Sequence, residues 1–94
     1  MMFEPIKTIV LVDSKKDTET SITVRFRVPS CVDIEELEKG GVTNSKTIIK
    51  FVDEISGFAS AEEFVKTPGT AYIAAKIAEE IVKSSMIKLE VKNS

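Results

Sequence analysis

The stretch Thr20-Ser21-Ile22-Thr23-Val24-Arg25-Phe26-Arg27-Val28-Pro29-Ser30 decides how the rest of the chain is read. Ile22, Val24, Phe26 and Val28 alternate with Thr23, Arg25 and Arg27, the period-2 pattern of a strand with one buried face. Pro29 has no N–H to give to a ladder and ends it. Working back toward the N-terminus, the polar run Asp13-Ser14-Lys15-Lys16-Asp17-Thr18-Glu19 separates this strand from another over Ile6–Asp13, and the two predict an antiparallel hairpin. The first strand is apolar on both sides. Ile6, Val10 and Val12 form the cleaner row and are expected on the core, which sets Ile9 and Leu11 on the outer face beside Lys7, Arg25 and Arg27.

Working forward, Ser30-Cys31-Val32-Asp33 has the form of a capping box, with Asp in place of the usual Glu, and opens a short helix to about Lys39. Gly40-Gly41 stops it. A second helix is expected from Thr43 or Asn44, carrying Ile48, Phe51, Val52 and Ile55 at helical spacing to a stop at Gly57. Ser60-Ala61-Glu62-Glu63 is a further capping box, for a helix of one or two turns ending near Lys66. Thr67-Pro68 reads as an N-cap followed by proline at the first helical position. The helix it opens runs to about Ser84 on the stripe Ile73, Ile77, Ile81, flanked by Ala74, Ala78 and Val82. Alternation of Ile87, Leu89 and Val91 with Lys88, Glu90 and Lys92 predicts a terminal strand. The expected architecture is one α+β domain over residues 1–94: an N-terminal hairpin, about four helices and a short C-terminal strand.

With 43% hydrophobic and 30% charged residues, the 94-residue chain has the means to form a core, though a thin one. The net charge of −2 argues against nonspecific nucleic-acid binding, which needs a dense basic surface. Acidity is concentrated between residues 33 and 63, where eight acids face three lysines. No apolar run approaches the roughly 20 residues of a membrane helix, and the first residues lack a signal peptide's basic and apolar regions. The single cysteine, Cys31, forms no internal disulfide. An intracellular protein is the simplest reading.

Residues suited to chemistry are sparse. The chain has no histidine, and Cys31 therefore has neither a histidine partner for nucleophilic work nor further thiols for zinc. It is expected to serve as a small apolar residue. Gly40-Gly41-Val42-Thr43-Asn44-Ser45-Lys46-Thr47 is one residue from the phosphate-binding loop G-x-x-x-x-G-K-[ST], with Ser45 in place of the second glycine. That loop follows a strand, whereas here a helix precedes it, so a glycine stop and a Thr/Asn/Ser cap is the better reading. Glu35-Glu36, Glu62-Glu63 and Glu79-Glu80 are adjacent pairs whose side chains diverge by about 100° on a helix, unlike a catalytic dyad. Phe51, Phe58 and Phe64 are expected in the core. No enzyme activity, cofactor or metal is expected. The candidate site is a protein-binding patch of Ile9, Leu11, Arg25 and Arg27, an apolar centre with a charged rim.

Ile22-Thr23-Val24-Arg25-Phe26-Arg27-Val28-Pro29-Ser30, followed by Asp33-Ile34-Glu35-Glu36-Leu37-Glu38-Lys39, resembles the opening of small tail assembly chaperones of long-tailed bacteriophages and prophages. Phe51–Lys83 is similar as well, above all Gly57-Phe58-Ala59-Ser60 with Glu62-Glu63-Phe64, then Pro68-Gly69-Thr70-Ala71 and the closing amphipathic helix. The end, Lys92-Asn93-Ser94, also fits. The resemblance implies a factor of the host-cell cytoplasm that binds the tape measure protein or the tail tube protein before tail polymerisation and is absent from the finished virion. It carries over no catalytic residues. Two other readings stay open: a small DNA-associated regulator using the hairpin as ribbon-type repressors do, and a non-catalytic accessory subunit of an enzyme. A homo-oligomer is compatible with each.

Overall fold

The computed structural model describes residues 5–12, 21–41 and 43–85. Along the chain these form β1 (Ile6–Val12), β2 (Ser21–Arg27), α1 (Cys31–Lys39), α2 (Asn44–Phe51), β3 (Val52–Ile55), α3 (Ala61–Lys66) and α4 (Ala71–Ser84). The fold is α+β: a three-stranded antiparallel sheet in the order β1-β2-β3, with four helices. The expected strand over residues 87–91 lies outside the described residues.

β2 is central because it is the strand with one unambiguous buried face. Val24 and Phe26 are wholly inaccessible to solvent and meet Ile48 and Phe51 of α2, Phe64 of α3, and Ile77 and Ile81 of α4 in one apolar cluster. The stripe on α4 is therefore core, with Ile73 packed at its margin.

Pairing to β2 fixes β1, and it reverses the assignment of faces made from β1's own pattern. Ile9 stands opposite Val24 and Leu11 opposite Ile22, so Ile9 and Leu11 point inward and pack on the core. Ile6, Val10 and Val12 lie on the outer face, 42%, 57% and 60% exposed. Both rows of β1 are apolar, so the strand itself carries almost no preference. Cross-strand partners share a face, and β2's inward row decides.

The helix expected to continue to Gly57 ends at Phe51, and Val52–Ile55 is a strand. Val52 turns extended (φ −79°, ψ 123°), and β3 completes the second side of β2, pairing Val24 with Ile55 and Phe26 with Val52 across a bulge. Val52 and Ile55 are buried in either conformation, which is why spacing did not separate the two. β-branched residues beside an unpaired strand edge favour the ladder. Gly57, at φ +85°, then supplies the left-handed turn out of the strand.

The helix starts follow local capping chemistry. Ser30 accepts the Asp33 N–H at 3.1 Å while Asp33 accepts the Ser30 N–H at 2.9 Å, a complete capping box. Ser60 accepts from Glu63 N in the same way, but the Glu63 carboxylate reaches one residue further back, to Ala59 N at 3.0 Å. α4 begins at Ala71, three residues after the expected proline start. Gly69 is left-handed at φ +88°, which keeps Thr67-Pro68-Gly69 a turn. The buried Thr70 hydroxyl lies within hydrogen-bond distance of both Phe64 O (3.0 Å) and Thr67 O (2.8 Å), fastening that turn to α3.

Candidate protein-binding surface

Among the described residues, α2 and α3 pack against β3 and α4 against β2, all on one side of the sheet. On the other side, β1 presents Ile6, Thr8, Val10 and Val12, and β2 presents Ser21, Thr23, Arg25 and Arg27 in register with them. β3 adds Glu54, which stands opposite Arg25. Three aliphatic side chains thus lie in a row at the sheet's edge strand, bordered by hydroxyls and then by charge.

The residues singled out from sequence do not come together. Ile9 and Leu11 are on the core side, and Arg25 and Arg27 belong to the opposite rows. Arg25 is exposed and lines an open cleft of about 380 Å³ together with Thr23, Asp53, Glu54, Ser56 and Phe58. Arg27, at the end of β2, is drawn toward α1: its guanidinium bonds Asp33 at 3.2 Å and lies 4.9 Å over the Phe51 ring. The aliphatic row Ile6, Val10 and Val12 replaces Ile9 and Leu11 as the exposed apolar part of the sheet. Only part of the signal for it lay in the sequence. β2 alternates strictly, and once its register with β1 is known this row must face outward.

A second charged feature was not foreseen. Lys50 of α2 reaches Glu36 at 2.8 Å and Asp33 at 4.0 Å, and its ammonium lies 5.6 Å from the Phe51 ring. Asp33 therefore joins Arg27, Lys50 and the cap of α1. The Ser30 N–H, then its hydroxyl and the two cations, hold the Asp33 carboxyl below its ordinary range against the opposing effect of partial burial. On α4, Lys83 donates to Glu79 at 2.7 Å, which lowers the Glu79 carboxyl and raises the Lys83 ammonium.

The loop that nearly matches a phosphate-binding motif is a helix cap. Thr43 accepts the Lys46 N–H at 3.2 Å, and the buried Thr47 hydroxyl donates to Thr43 O at 3.0 Å. The element before it is α1, so the strand that such a loop requires is replaced by a helix. Cys31 corrects the expectation of a small core residue: it is exposed in the first turn of α1, its Sγ 3.6 Å from a Glu35 carboxylate oxygen. Phe51 and Phe64 are core, and Phe58 packs edge-on against Phe64 with ring centroids 5.0 Å apart. Among the described residues no group of three or more acidic, histidine or cysteine side chains is placed to hold a metal ion. No helix among them is long and apolar enough to cross a membrane.

The class these features define is an α+β domain in which, among the described residues, helices pack on one face of a three-stranded antiparallel sheet. In comparisons with protein families, curated proteins and solved structures, nothing matches this chain.

Proposed function

We propose that this chain is a non-catalytic assembly factor that binds another protein through the open face of its sheet, with the tape measure or tail tube protein of a long-tailed phage as partner. The observation that carries the reading is the row Ile6, Val10 and Val12, about half exposed on an edge strand and bordered by Thr8, Thr23 and Arg25. An apolar centre inside a polar rim is the anatomy of a contact surface, and leaving it in water forgoes stabilisation that a partner would recover. The choice of a tail protein rests on the resemblance of residues 22–39 and 51–83 to tail assembly chaperones.

The hairpin is less suited to DNA. Arg27 is paired with Asp33 and Arg25 stands opposite Glu54 in the sheet, so both β2 arginines have an acid beside them, and the net charge of −2 does not supply the dense basic surface that counterion displacement needs. The test is co-expression with the tape measure and tail tube proteins encoded in the same genome, followed by affinity purification. Stoichiometric co-elution of one of them, lost in Val10→Glu/Val12→Glu, is the expected result. Failure of the folded wild-type chain to retain either protein refutes the partner. A wild-type dimer that the same double substitution dissociates would assign the face to a second copy.

A further inference from the structure

α1 is bound to the rest of the domain by a small apolar contact. Leu37 is its one buried residue and, at 9% exposure, the most exposed member of the core; Ile34 packs beside it at the margin. What supplements this small contact is charge. Asp33 and Glu36 border the Ile34/Leu37 stripe and meet Arg27 and Lys50, both of which lie on the ring of the otherwise buried Phe51. At either end the helix is set off by Pro29-Ser30 and by Gly40-Gly41, the latter with Gly41 left-handed at φ +70°.

We propose that the surface formed by Arg27, Lys50 and Phe51 is a docking site for an acidic amphipathic helix, occupied here by α1 in cis, and that a partner helix of the same chemistry displaces it. The partner is specified by what α1 presents: two aliphatic residues at i and i+3, with carboxylates at i−1 and i+2. Charge complementarity selects such a helix. Two cations over one aromatic ring receive carboxylates well and would repel a basic segment. The tether gives α1 an effective concentration of roughly millimolar order, so the site is closed to weak competitors until α1 loosens. The rest of the core, built from β2, β3, α2, α3 and α4, contains the fully buried residues and stays packed when α1 leaves. This surface does not depend on the tail partner proposed above.

The test combines hydrogen exchange with peptide binding on the full chain. In Asp33→Asn/Glu36→Gln, α1 amides should exchange about tenfold faster than in the wild type, with β2 and α4 amides within about twofold. Raising wild-type samples from low to molar salt should move α1 in the same direction, since screening weakens exposed charge contacts, and this arm needs no variant to fold. A fluorescein-labelled peptide of residues 30–40 should bind the double variant at least about tenfold more tightly than it binds the wild type. Binding should vanish when Arg27→Gln and Lys50→Gln are added. Exchange of α1 in step with β2 and α4 in both salt and variant series overturns the proposal, as does a peptide that fails to bind the opened variant.

Discussion

Neighbouring residues of β1 offer a direct test of which side of the strand is internal. Ile9→Thr and Val10→Thr each leave a β-branched residue, so strand propensity is held nearly constant and burial is isolated. Ile9 lies opposite the fully buried Val24 and packs on the core, whereas Val10 is 57% exposed opposite Thr23. Replacing isoleucine by threonine removes two carbons, worth about 0.8 kcal/mol each when fully buried, and introduces a hydroxyl with poor access to water. Allowing for incomplete burial of Ile9, the cost comes to about 2 kcal/mol. Val10→Thr swaps one methyl for a hydroxyl in a mostly exposed position and should stay within about 0.5 kcal/mol of wild type.

Urea denaturation at low micromolar concentration, followed by circular dichroism, measures both with the slope m as a control on two-state behaviour. For a domain of this length the entropy of unfolding makes 2 kcal/mol equivalent to a fall in Tm of about 10 °C, against about 2 °C for Val10→Thr. Equal costs, or a larger cost at Val10, would show that Ile6, Val10 and Val12 are the inward row and that the surface described above does not exist.

Ile77→Ala, at a site with no solvent exposure on α4, should cost about 2–4 kcal/mol by the same denaturation assay; a loss below about 0.5 kcal/mol would mean the helix is rotated. Thr70→Val keeps the side chain's shape but removes the hydroxyl fastening the turn before α4, and should cost about 1–2 kcal/mol; a neutral result would show that the contact to Phe64 O or Thr67 O adds nothing net. Asp33 has a folded-state pKa held below its ordinary 3.8, so its contribution is present above that value and is lost as pH falls through the lowered one. The stability gap between wild type and Asp33→Asn should therefore be constant above a pH of about 5 and shrink in acid, and a gap unchanged in acid would contradict the assignment of Asp33's partners.

The elements that sequence made legible are those whose signals are local. The capping box at Ser30, the stop at Gly40, the cap at Ser60 and the Ile73/Ile77/Ile81 stripe each depend on residues no more than four positions from the next. Each appears in the structure within a residue or two of its expected place. The misreadings share a different cause. Val52 and Ile55 are core residues whether they sit on a helix or in a strand, and only the unpaired edge of β2, 26 to 31 positions earlier in the pairing, favours the strand. Thr67-Pro68 has the form of a helix start, but the Thr70 hydroxyl's contacts with Phe64 and Thr67 carbonyls hold those residues in a turn.

The site was hidden by the same kind of dependence. β1 reads Ile-Lys-Thr-Ile-Val-Leu-Val, with Ile6, Val10 and Val12 in one row and Ile9 and Leu11 in the other, so its own pattern favours the wrong row by a single aliphatic residue. A shift of one residue in its pairing with β2 would exchange them. The pairing is fixed by a strand that does have a preference, Val24 and Phe26 against Thr23 and Arg25, and by helices that cover one side of it. That ambiguity has a functional side. A strand that needed only to pack on its own core could carry polar residues outward, as β2 does with Thr23 and Arg25. β1 carries valines outward at a sheet edge, the position where an exposed apolar strand most invites unwanted pairing. An apolar outer row there is costly in water, and under the proposed function a bound protein would cover it, with Arg25 and its cleft at the margin of the same face.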